Sequence, residues 1–302
     1  MKPADVVQKT KKVPLIGMMT GLIGGAAFGL ITPISPLANE AGSTPVMITF
    51  IRFVLGLGLM GLIIFVGRCP LHVPRNKWLP LSAMGLFIFT VTVFYLSAVV
   101  YIPVSLAAIL FYTYPIIVTI LDPLLQRRLP SVAQLALSLL AFSGIAVALG
   151  PSIDALDWRG IGFVALAALS ISGTLIISRK VVSEVNNLTI VFYVNIIGLV
   201  LSVPYLLLSD GIDLPAINFE TVANLKYPAL IAGLYLLATL AQIITVRFVG
   251  PSRTAMFFNV EPIVTILAAV AILHESLTHL QITGSVLVLS AVVISCCRPV
   301  RI

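Results

Sequence analysis

Charge is scarce in this chain. Only 10% of its 302 residues are Asp, Glu, Lys or Arg, against 59% hydrophobic. A soluble domain carries roughly 25% charge, so an ordinary water-facing surface is excluded. Cysteine is sparse too. Cys69, Cys296 and Cys297 are odd in number and lack metal-ligand spacing, so neither a disulfide framework nor a zinc motif is expected. The three histidines, His72, His274 and His279, lie near the ends of apolar runs and form no HExxH helix. There is no GxxxxGK[ST] phosphate loop and no GxSxG elbow. A nucleotide-driven motor has no sequence support, and no cofactor, metal or catalytic residue is expected. The net charge of +7 sits in short clusters between apolar runs, so no nucleic-acid partner is expected either.

What the chain does have is a succession of apolar runs. They lie near 14–35, 44–66, 79–98, 103–122, 131–150, 159–178, 187–208, 227–247, 252–273 and 280–298. Most reach the ~20 residues a helix needs to cross a bilayer. Lipid offers backbone groups no partner, so each span must satisfy its own as a helix. The first run follows a basic stretch, but it exceeds the roughly 7–15 apolar residues of a signal peptide. It is read as a retained first span behind a tail at 1–13, with a second tail at 299–302. Fifteen of the 18 Lys and Arg fall on one side of this ten-span plan, and most acids fall on the other. The positive-inside rule then places both termini in the cytoplasm.

Sliding the chain by 147 residues sets "SLAAILFYTYPI" (from Ser105) over "SRTAMFFNVEPI" (from Ser252). Serine, alanine, phenylalanine and proline coincide, and further on Gln134 meets Gln281. Five spans per copy is an odd number, so the second copy enters the membrane inverted. The expected fold class is an all-α integral membrane protein of ten transmembrane helices, built as two inverted five-helix repeats at 14–150 and 151–298. In such proteins the substrate site lies near the midplane, where both halves carry helix-interrupting Gly or Pro. Pro115 and Pro262 are such a pair, read as helix kinks.

Glu261 precedes the second proline. An acid at that depth is costly, and ionisable residues there mark substrate or proton paths. Thr254, Phe258, Glu261 and Thr265 follow i, i+4, i+7, i+11 spacing, one polar and aromatic face of a continuous helix. Arg52 lies inside span 2 and is either a snorkelling base or a partner for Glu261 or for an anionic solute. Tyr114 occupies the place of Glu261 in the first copy. Asn195, Tyr235 and Gln242 add polar groups at membrane depth. Packing explains each of them singly; together they suggest a pocket for an amphipathic organic solute. Gly17, Gly21, Gly25 and Gly29 form a stripe on span 1 along which another helix can approach closely.

The segment "NVEPIVTILAAVAILHESLTHLQITGSVLVLSAVVIS" resembles the EamA-type repeat of the drug/metabolite transporter superfamily. The resemblance rests on Pro262, Glu275, Leu277-Thr278, Gln281 and Gly284, and on the Gly-rich first span with Arg52 in the second. It departs from that pattern at Arg128, where the first copy lacks the terminal Glu, and at Asn195, which takes the Arg position in the second copy. It implies a multi-pass protein of a bacterial inner membrane that moves small metabolites or drugs. The expected function is a secondary active, alternating-access carrier of a solute such as an amino acid, with proton coupling as a hypothesis. The alternatives are a membrane-embedded lipid- or head-group-modifying enzyme, for which no interfacial acid or histidine cluster is found, and a channel. The expected partners are the bilayer, a small-molecule substrate and protons; a homodimer stays open.

Overall fold

The computed structural model describes residues 10–11, 13–40, 45–150, 157–208, 226–273, 277–297 and 300–301. Much of both tails, the loop acids Asp154, Asp210, Asp213 and Glu220, and the His274–Glu275 turn lie outside the described residues. Among the described residues, ten helical stretches are long and apolar enough to cross a membrane. They are span 1 (Leu15–Glu40), span 2 (Pro45–Gly67), span 3 (Trp78–Tyr101), span 5 (Val132–Leu149), span 6 (Trp158–Val182), span 7 (Asn187–Leu208), span 8 (Lys226–Val249) and span 10 (His279–Cys297). Spans 4 and 9 are each split: 4a (Val104–Phe111) and 4b (Tyr114–Leu125), 9a (Pro251–Phe258) and 9b (Glu261–Leu273). An even number of crossings brings both chain ends to one face. There Thr10–Lys11 pairs antiparallel with Val300–Arg301. This is called the terminal face below.

Local chemistry starts several spans. The Asp157 carboxylate accepts the Arg159 amide at 2.8 Å and caps span 6. That bond holds the exposed Asp157 carboxyl below its ordinary range. Span 10 begins with a capping box: the Thr278 amide donates to Gln281 Oε1 at 2.9 Å, and the Gln281 amide returns a bond to Thr278 Oγ1 at 3.2 Å. The matching Ser131 in the first copy accepts the Gln134 amide at 3.4 Å. The shared glutamine of the repeat is therefore a helix-start signal.

The packing repeats as the sequence does. Span 1 runs along span 8 as span 6 runs along span 3. Span 1 leans on both halves of span 9 as span 6 leans on both halves of span 4. Span 5 pairs with span 10, and span 2 with span 7, so each of these pairs maps onto itself. Individual contacts repeat too. A methyl group on Gly17 would press on Phe248 and Val249; one on Gly160 would press on Tyr101 and Ile102. Spans 5 and 10 cross where Gly144 and Gly284 bring backbone against backbone, a closeness that only small residues permit.

One feature breaks this symmetry. Segments 4b and 9a pack together near the terminal face, whereas their counterparts 9b and 4a hardly touch at the opposite face. Span 6 also meets span 8 and 9a, with no comparably extensive contact of span 1 on span 3 or 4a. Near the terminal face Val118, Thr119, Ser172, Leu175, Ala255 and Phe257 are all buried. Toward the opposite face every residue from Phe89 to Ser97 on span 3 stays part-exposed. Segments 4b and 9a thus meet on the terminal side while 4a and 9b stand apart on the other, where spans 3, 4a and 6 still bury Ala98, Ile102, Leu106, Ala107 and Val164.

Candidate functional site

The prolines do not bend continuous helices. Each helix stops four residues before its proline, two non-helical residues follow, and the proline sits in the first turn of a new helix, where its missing N–H costs nothing. The two breaks share one hydrogen-bond pattern. The Ile116 and Ile117 amides both donate to the Thr113 carbonyl, at 3.0 and 3.1 Å. The Ile263 and Val264 amides donate to the Val260 carbonyl, both at 3.1 Å. The Thr113 amide reaches back to Leu110, and Val260 to Phe257, each at 3.2 Å. Tyr114 and Glu261 therefore begin the second half of each broken span at equivalent places.

The break separates the four residues that a continuous span 9 would align. Thr254 and Phe258 lie on 9a and are buried. Thr254 Oγ1 donates to the Gly250 carbonyl at 2.8 Å. Phe258 packs against Gly24 and faces Phe28 with ring centroids 5.9 Å apart. Thr265, on 9b, bridges the carbonyls of Gly29 and Glu261 at 3.0 and 3.1 Å. Both hydroxyls are thus spent on backbone. Glu261 differs: protein surrounds it, yet its surface remains part-accessible. Glu261 thus lies deep among the helices without being sealed off. Tyr112, Tyr95 and Tyr114 are the tyrosines that interact with it electrostatically.

The glycine stripe explains how Glu261 is held. Gly21 lies against Phe257, and Gly25 against Val260 and the Phe258 backbone. A methyl group on Gly29 would stand 2.5 Å from the Glu261 carbonyl. Span 1 therefore lies directly on the break. At the matching contact in the other repeat, the Ser172 hydroxyl donates to the Tyr114 carbonyl at 3.4 Å.

Arg52 does not pair with Glu261: no ion pair within 4.0 Å joins them. Its guanidinium lies 3.9 Å from the centroid of the Tyr235 ring and 5.0 Å from that of Phe53. One Nη donates to Thr92 Oγ1 at 3.2 Å, while the buried Nε has no hydrogen-bond partner. Arg52 too is part-exposed although deep in the protein. A cation over an aromatic face gains about 2 kcal/mol when desolvated, and among the described residues no acid forms an ion pair with it. Thr92 beside Arg52 and Tyr95 beside Glu261 lie one turn apart on span 3, about 4.5 Å of rise. The base and the acid thus face the same stretch of span 3 without forming an ion pair.

The other sequence candidates divide. Tyr235 lies edge-on to Phe28 at 5.8 Å. Asn195 is buried, its amide donating to the Val191 carbonyl at 2.8 Å, with Oδ1 unpartnered against Gly56. Gln242 is buried two turns below Tyr235. Tyr114 is buried in an aromatic group with Phe111 and Tyr112, at 5.5 and 6.3 Å. Sequence reading missed Thr92 and Phe28, because a lone threonine and a lone phenylalanine in an apolar run carry no signal. Among the described residues no three His, Cys, Asp or Glu side chains gather to hold a metal ion.

Known proteins show the same plan. An uncharacterized transporter of Archaeoglobus fulgidus is 25% identical over 83% of this chain and 88% of the relative. The uncharacterized transporter YcbK of Bacillus subtilis is 24% identical over 87% of each chain. A solved crystal structure superposes with a TM-score of 0.74 at 21% identity, covering 92% of this chain and 96% of the other, which shows a shared fold. The EamA-like transporter family matches residues 15–150 and 158–297, one repeat each. This two-repeat membrane protein therefore belongs to the EamA-like transporter family.

Proposed function

We propose that the chain is a secondary active transporter that exposes a chamber between Arg52 and Glu261 to each side in turn. The observation that carries this reading is the pair itself. Two opposite charges lie deep in the spans, both accessible and neither neutralising the other. Such an arrangement suits a small amphipathic solute with an anionic group for Arg52 and an apolar body for the Phe28, Tyr235 and Tyr95 walls. Glu261 would take the solute's amino group, or a proton in its place. Amino acids and drug-like amines fit this description. The loop charges support a terminal face in the cytoplasm, and the family resemblance supports a place in a bacterial inner membrane.

Counterflow in proteoliposomes tests it. A labelled amino acid should exchange saturably against an unlabelled internal pool. Arg52→Gln should weaken that solute's apparent affinity about 10- to 100-fold, the value of a hydrogen bond to a charged group. Glu261→Gln should abolish flux driven by a pH gradient. Wild-type pH-driven flux in Glu261→Gln removes the coupling role. Chemical conversion of the solute, or non-saturable flux, removes the carrier reading.

A further inference from the structure

The closed terminal face holds a buried acid that the chamber does not use. Asp122, near the end of 4b, is 5% exposed. Its Oδ2 accepts from Arg179 Nη2 at 2.8 Å and from Ser252 Oγ at 3.1 Å. Its Oδ1 accepts from Gln126 Nε2 at 3.0 Å. Three elements meet here: 4b through Asp122, the end of span 6 through Arg179, and the start of 9a through Ser252. Gly250, with φ of 79°, turns the chain into 9a and leaves room for the guanidinium, because a methyl group there would lie 2.9 Å from Arg179 Nη2.

The network is the chemical counterpart of the packing asymmetry. Segments 4b and 9a are joined where Asp122 meets Ser252, while their images 9b and 4a stand apart. The repeat offsets place Ala269 opposite Asp122 and Ser105 opposite Ser252 (both 147 residues). Pro36 stands opposite Arg179, by the offset of 143 that sets Gly17 on Gly160. The opposite end can therefore form no such ion pair at the equivalent places. A second bridge reinforces the terminal face: Lys77 Nζ reaches Glu184 at 2.6 Å and the Lys180 carbonyl at 2.9 Å, tying span 3 to the end of span 6.

We infer that Asp122, Arg179 and Ser252 are a one-sided latch. It holds the terminal face shut while the chamber opens to the opposite face, and it must part before solute can leave on the terminal side. The opposite face has no equivalent lock at these positions. Two states whose balance depends on one network shift together when the network is cut. The latch rests on the carrier reading, but its test needs no solute, so failure of one is distinguishable from failure of the other.

The experiment uses purified full-length protein with Cys69, Cys296 and Cys297 replaced by Ser, and a water-soluble maleimide. Val118→Cys reports the terminal side, since Val118 is buried behind the latch and its carbonyl faces Ser252 Oγ at 3.4 Å. Ser105→Cys reports the opposite side. Adding Asp122→Asn should speed labelling at position 118 about tenfold, the equivalent of one lost hydrogen bond to a charge, and slow it at 105. The exchange Asp122→Arg with Arg179→Asp should return both rates toward their starting values. An unchanged rate at 118 overturns the latch. So does a rise at both positions, which means general loosening. Should Asp122→Asn not fold, Ser252→Ala replaces it, with about a threefold rise expected at 118 and none overturning the idea.

Discussion

The two broken spans share a backbone and differ in chemistry. Both stop four residues before a proline, restart with the same pair of amide bonds, and receive a neighbouring span at the break. In the first copy the restarting residue is Tyr114, buried among Phe111 and Tyr112. In the second it is Glu261, part-exposed with Tyr112 beside it. The neighbours differ as well: Ser172 hydrogen-bonds the Tyr114 carbonyl, whereas Gly29 lets span 1 come right up to that of Glu261. The difference teaches that an architectural device can be duplicated while the chemistry placed on it differs between the copies. A break supplies a bend and a helix start; the residue type and the accessibility at that start decide what the copy does.

Moving the carboxylate across the pseudo-symmetry is the harshest way to break this comparison. In Tyr114→Glu with Glu261→Tyr, the acid sits at a place that does not open on the chamber. Counterflow in proteoliposomes should fall at least about tenfold, the loss of a charged partner. Flux near the wild-type level would make the two breaks interchangeable.

The neighbours give a milder contrast. Gly29→Ala drives a methyl group against the Glu261 carbonyl and should destabilise the protein by about 1–3 kcal/mol, as overpacking does. Ser172→Ala removes one hydrogen bond of about 0.5–1.5 kcal/mol. Chemical unfolding in detergent should rank them in that order, and equal effects would mean that span 1 can slide away from the break. The smallest effect belongs to the helix starts. Thr278→Ala removes the hydroxyl arm of the capping box and should cost about 1 kcal/mol; Ser131→Ala, whose bond is longer, should cost less. Reversal of that order would show that the 3.4 Å contact at Ser131 carries more than its length suggests.

Much of the fold was legible in the residues. Apolar runs of bilayer length leave the backbone little choice but helix, so span number and approximate limits follow from hydropathy. The proline and glutamine matches located the repeat because both have positional meaning in helices. The kink reading did not survive in detail. Proline disfavours a helical conformation in the residue before it, but the sequence does not say whether the helix bends or restarts. The chain restarts, and Thr254 and Phe258 lose the face they would have shared with Glu261.

The amino-acid sequence by itself determined ten crossings, an inverted pair of repeats and the presence of an acid and a base inside the membrane. Each of these follows from local physics, namely the cost of bare backbone in lipid and the period of a helix. Tertiary structure decided the rest. It separated Arg52 from Glu261 and gave each an aromatic or hydroxyl neighbour. It also joined Asp122 to Arg179 and Ser252, from three elements far apart in the chain. Those pairings depend on which helix faces meet and at what depth. Many hydropathically equivalent faces could meet, and only the summed packing of all ten spans selects among them.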